Sequence, residues 1–172
     1  MKKMGPKGLK WLKGIHLIAV SCWIGGGVAL ALLYFLKEGV TDGGVLHGID
    51  QSIHYVDMAV IVIPGAFGCL LTGLAYGIFT RFGFFRHGWM IFKWILTVGA
   101  ILFGTFWLGP WETRMMELSG QLGAAAPADA AYRYNMLMHE VFGTLQVSLL
   151  MVTVFISIFK PWKGKKKPIR GE

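Results

Sequence analysis

The sequence predicts an all-α integral membrane protein, an up-and-down bundle of four transmembrane helices with both termini in the cytoplasm. Three observations predict it. Of the 172 residues, 55% are hydrophobic and 15% charged, and the mean hydropathy is +0.56; soluble domains carry roughly 25% charged residues. The apolar residues fall in four blocks, each long enough to cross a hydrocarbon core of roughly 30 Å. The basic residues gather beside only some ends of those blocks. These numbers argue against a soluble enzyme, and also against a disulfide scaffold, because the two cysteines, Cys22 and Cys69, both sit inside apolar blocks.

The first span covers about 9–36. It follows a basic stretch, but it is too long for a signal-peptide core and lacks a small-residue cleavage site, so it reads as a mature span. The second covers about 54–80, the third 88–111 and the fourth 134–159. Backbone groups in hydrocarbon must be satisfied within the segment, so each block is a helix, and short connections make neighbours antiparallel. Residues 1–172 form one membrane domain, with connections 38–53 and 112–133 as the only sizeable segments outside it, the second including a weakly amphipathic stretch at 121–131.

Charge sets the orientation. Thirteen Lys and Arg, including Lys2, Lys3, Lys7, Lys10, Lys13, Arg81, Arg86 and the six from Lys160 to Arg170, flank one side; only Lys37, Arg114 and Arg133 flank the other, and Lys93 lies within a span. The positive-inside rule places the basic side in the cytoplasm. The net charge of +8 therefore reports topology and lipid headgroups, with no nucleic-acid partner.

Glycines at 25–27, 65, 68, 73, 77, 99 and 104 let helix backbones, or a flat cofactor, approach closely. Trp11, Trp89, Trp107, Trp111 and Trp162 fall near predicted interfaces and read as an aromatic belt.

The histidines carry the chemistry, because ionisable groups within spans are expensive and are functional candidates by default. His16 in the first span and Lys93 in the third lie at similar depth near the cytoplasmic side. His54 and His139 match in depth near the outer side. The two layers are separated by roughly 20 Å. Imidazoles on facing helices, flanked by glycine, are what a b-type haem in a bundle needs. In the outer layer Gly143 and Gln146 share a face with His139, and Asp57 is placed to accept the second ring N–H of His54. In the inner layer Trp23 and Gly27 continue the His16 face; the partner of His16 is Lys93, which ligates iron only as a neutral amine, or His87, or an open position. Lys93 could instead snorkel to the interface. His47 reads as solvated, with a Zn²⁺ or Cu²⁺ site on His47, His54 and His139 as an alternative. No CxxCH sequence is present, so haem would be held non-covalently.

The run Leu9-Lys10-Trp11-Leu12-Lys13-Gly14-Ile15-His16, followed by Trp23-Ile24-Gly25-Gly26, resembles the first helix of the HemJ-type protoporphyrinogen oxidases and their CopD-like relatives. Trp89-Met90-Ile91-Phe92-Lys93 is similar to the third-helix motif of HemJ, and Ile63-Pro64-Gly65 with Thr72-Gly73-Leu74 looks like its second helix. The resemblance implies roles for His16 and Lys93 in haem binding and activity. Two stretches depart from it: the segment Ala29 to Phe35 is apolar where HemJ proteins carry Arg, and His139-Glu140 lies where they have an Asn-Glu-x-Pro motif.

Together these readings predict a haem b protein of the bacterial inner membrane holding one haem or two, more simply two. It would carry electrons across the bilayer or between a membrane quinol and a small acceptor. HemJ-like porphyrinogen oxidation and CopD-like copper or zinc handling are the alternatives. A single haem with a vacant sixth position would suggest chemistry on O₂, superoxide or NO. Homo-oligomers are compatible with the sequence, and it names no redox partner.

Overall fold

The computed structural model describes residues 4–80, 84 and 88–160. Within them the chain is helical, with four helices long and apolar enough to span a membrane: α1 (Pro6–Leu36), α2 (Gly43–Phe79), α3 (Gly88–Ala128) and α4 (Ala130–Phe159). Arg81, Arg86, His87 and the basic residues beyond Lys160, with Trp162, lie outside the described residues.

α1 starts with Pro at its first position, where a missing N–H costs nothing. α2 begins eleven residues before the predicted second span: Asp42 caps it, accepting the Val45 N–H at 2.8 Å, so much of the expected connection 38–53 is helix. Between Asp57 and Phe67 α2 widens to a π-helix. Pro64 lies inside this segment, and its ring can neither donate to nor fit beneath the carbonyl of a tight α turn, so the local widening has a cause. α3 widens in the same way at Gly104–Leu108, just before Pro110. It then runs on through the expected connection 112–133 as α-helix to Leu122 and as a 3₁₀ turn over Gly123–Ala128, within the stretch read as weakly amphipathic. Gly123 ends the α segment at φ +53°, where a Cβ would be strained. Asp129 caps α4 through the Tyr132 N–H at 2.8 Å.

The α1–α2 contact is the most extensive. A Cβ on Gly65 would lie 2.9 Å from the Trp23 backbone, one on Gly68 2.9 Å from Ala19, and Gly26 packs onto Ile61. The N–H of Met4 bonds the Phe79 carbonyl at 3.1 Å, and Lys37 reaches Asp50 at the opposite end. The segments of α2 and α3 that extend past the predicted spans pack on each other: Gly43 lies against the backbone of Gly123 and Ala124, and Gly120 against the His47 ring. The outer faces of the four long helices are apolar, with Trp11, Phe35, Ile95 and Phe159 each more than two-thirds exposed.

Candidate functional site

Near the N-terminal end, residues from all four helices surround a cavity of about 320 Å³, within the range of cofactor pockets, roughly 300–1,000 Å³. Its apolar walls include Val20, Ile24, Leu150 and Val154; His16, Tyr76 and Trp89 face it, and Lys13, Lys93 and Lys160 bring three lysines to it, with no acidic residue among its described lining. Lys93 and Lys160 place their Nζ atoms 5.8 and 5.7 Å from the Trp89 ring. Trp89 is buried, so it belongs to this cavity and not to an interfacial belt.

The tautomer of His16 follows from its partner. The Thr72 hydroxyl is bonded to the carbonyls of Gly68 and Cys69, its own helix backbone, and its oxygen stands 2.7 Å from His16 Nδ1. A hydroxyl has one proton to give. With that proton spent on the backbone, His16 Nδ1–H donates to the Thr72 oxygen, leaving Nε2 with a free lone pair. The Tyr76 ring meets the His16 ring edge-on at 5.8 Å and holds its orientation. A cavity-lining imidazole with one nitrogen anchored and the other unprotonated is the donor an axial iron ligand requires, and the three lysines suit the carboxylates of a porphyrin. These residues fit a haem.

The opposite end is built differently. His54 Nδ1 lies 2.8 Å from Glu112 Oε1, and His139 Nε2 lies 3.7 Å from Glu112 Oε2. The partner of His54 is therefore Glu112 of α3, in place of the expected Asp57, which stands beside the same carboxyl. His139 Nδ1 is 2.7 Å from the Tyr34 hydroxyl, so both of its ring nitrogens face protein groups. The void next to them, lined by Trp23, Gly27, Tyr34, Gly143 and Gln146 among others, measures about 40 Å³, room for a water or two and not for a macrocycle. As arranged, His54 and His139 do not fit a haem.

A second polar group adjoins this one. Lys37 donates to Asp50 at 2.6 Å, Tyr132 donates to the other Asp50 oxygen at 3.0 Å, and Met115 lies between Lys37 and Tyr34. Burial holds the Lys37 ammonium below the ordinary lysine range, with Asp50 pulling the other way. His47 is half-buried, its Nδ1 3.1 Å from the Ser119 hydroxyl, and so differs from the solvated side chain expected. Among the described residues no three His, Cys, Asp or Glu side chains converge as a metal ion would need. His87, the alternative partner of His16, lies outside the described residues.

Thr72, Tyr76, Tyr34, Lys37, Asp50, Glu112 and Tyr132 are site residues that the sequence does not single out as such. A signal existed for Tyr34: the face His16, Trp23, Gly27 continues at heptad-like spacing through Leu30 to Tyr34. Glu112 and Lys37 were masked by their assignment to connections. No family model, curated protein or solved structure compared with the chain matches it.

Proposed function

We propose that the chain is a haem b protein of the bacterial inner membrane, an up-and-down bundle with both termini cytoplasmic, holding one haem in the cavity around His16 and passing electrons between a membrane quinol and a small acceptor. The observation that carries the reading is that His16, anchored through Nδ1 to Thr72 at 2.7 Å, lines the one large cavity seen among the described residues; Nδ1–H donating to Thr72 would leave Nε2 free to bind iron. When bound, haem supplies one-electron chemistry. The chain's own residues would bind and orient it: His16 would hold the iron, Lys13, Lys93 and Lys160 would pair with the carboxylates, and Trp23 with the aliphatic walls would keep water out. The HemJ/CopD-like resemblance of the first three helices agrees with this placement, since His16 and Lys93 both line the cavity.

The test is a reduced-minus-oxidised spectrum with a haemochrome count. One haem per chain is expected, lost in His16→Ala and kept in His139→Phe. Loss in His139→Phe, or two haems per chain, would favour the two-layer wire; absence of a Soret band after expression with haem supplied would overturn the reading. The three lysines also favour a second reading, oxidation of a porphyrinogen dicarboxylate in the HemJ manner, which complementation of a strain lacking that activity would support.

A further inference from the structure

The polar groups far from the cavity hold no haem in the arrangement described, yet they bury charge-bearing side chains that are costly in a membrane protein and commonly mark proton routes. From their order we infer that His54, Glu112, His139 and Tyr34 form a proton relay from the surface to the small void beside Trp23, serving the redox site in the larger cavity. The last clause rests on the function proposed above; the relay itself does not.

The entrance is His54, whose side chain is 30% exposed, while that of Glu112 is 1% and that of His139 3% exposed. The links run 2.8 Å from His54 to one Glu112 oxygen, 3.7 Å from the other to His139 Nε2, and 2.7 Å from His139 Nδ1 to the Tyr34 hydroxyl. The middle gap exceeds a hydrogen bond and is closed by a small swing of the carboxyl or by one water. Each group gains one proton and gives one. His54 takes a proton at Nε2 and passes its Nδ1 proton to Glu112; the carboxyl passes one to His139 Nε2; Nδ1–H of His139 passes one to the Tyr34 oxygen, whose own proton leaves into the void.

That void is polar enough to hold water, with Tyr34, His139 and Gln146 in its wall. Trp23 lines both the void and the large cavity, so the relay ends one side chain from the proposed redox site. The branch toward Lys37 and Asp50 is blocked, because among the described residues it joins Tyr34 by hydrogen bonds only through the Met115 thioether, which has no proton to pass. Asp57 beside Glu112 and Glu140 at the void are the carboxylates that face the route.

The experiment measures proton uptake with an indicator dye in weakly buffered, haem-loaded protein after flash reduction by a photosensitised donor. Wild type should take up a proton with haem reduction. Glu112→Gln and the milder surface variant His54→Gln should slow uptake at least tenfold with an unchanged Soret band, while His47→Gln, off the route, leaves it unchanged. No uptake in wild type would overturn its service to the redox site, and unslowed uptake in His54→Gln would overturn the relay. In haem-free protein the relay is read by infrared difference spectra after a pH jump: a carboxyl band absent from Glu112→Gln should respond at least tenfold more slowly in His54→Gln. An unslowed response overturns the relay whatever the haem content. A slowed response from protein that never shows a Soret band supports the relay and overturns the haem reading instead.

Discussion

At the scale of single residues, the informative event is the use of one hydroxyl proton. Thr72 spends it on its own helix backbone and so dictates which nitrogen of His16 is free. Thr72→Val preserves shape but removes the acceptor, and loss of such an orienting partner typically costs roughly 10–100-fold in affinity. Haem titration should show that loss, with Thr72→Ser restoring affinity; an unchanged affinity in Thr72→Val would mean that Tyr76 alone holds the ring. His16 itself was legible in the sequence, because an ionisable group in an apolar block has few neutral explanations. Thr72 was not, since a threonine in a membrane helix usually does no more than bond its own backbone, and here that bond is half of the device. Glu112 was hidden for a related reason: its position in the chain resembled a connection, and only the extension of α3 carries it to His54 and His139.

At the scale of elements, the α1–α2 seam explains how the cavity wall is held. Gly65 lets α2 close on the backbone of Trp23, the residue that separates void from cavity. Gly65→Ala forces the two helices apart; overpacking of this kind costs roughly 1–3 kcal/mol, to be read as a lower thermal midpoint in detergent together with altered Trp fluorescence. Gly99→Ala is the control, because nothing lies within 4 Å of the added Cβ, and its midpoint should hold or rise. The glycine pattern alone allowed either helix packing or a flat cofactor; the contacts assign Gly26, Gly65 and Gly68 to packing. The extensions of α2 and α3 were not legible, since their mixed polarity suits a solvated loop as well as helices that bury one face on each other.

For the whole molecule, the apolar girdle and the asymmetric charge govern placement. The sequence's bias in Lys and Arg, thirteen flanking one set of predicted span ends against three flanking the other, predicts that a reporter fused after the last residue is active in the cytoplasm, and that one inserted at 39–41 is active on the opposite side. The opposite pattern would reverse the molecule and place the His54 entrance toward the cytoplasm. The orientation thus decides from which compartment the proposed relay draws its protons, while the cavity with its three lysines lies toward the other.

The sequence by itself determined that four helices are long and apolar enough to cross a membrane, because hydropathy over twenty residues is a local sum that no tertiary contact can alter. It also singled out His16, His54, Lys93 and His139, since the cost of an ionisable group in an apolar block does not depend on the partner it finds. Which of them meet was decided only by the tertiary structure. Depth along a helix is readable from residue number, but rotation and register between helices are not. Two π segments, in α2 and α3, change the rotation of everything beyond them. The three-dimensional arrangement sets His16 beside Thr72 at a roomy cavity and His139 between Tyr34 and Glu112 beside a void of about 40 Å³. Two histidines that look alike in the sequence thereby acquire different surroundings.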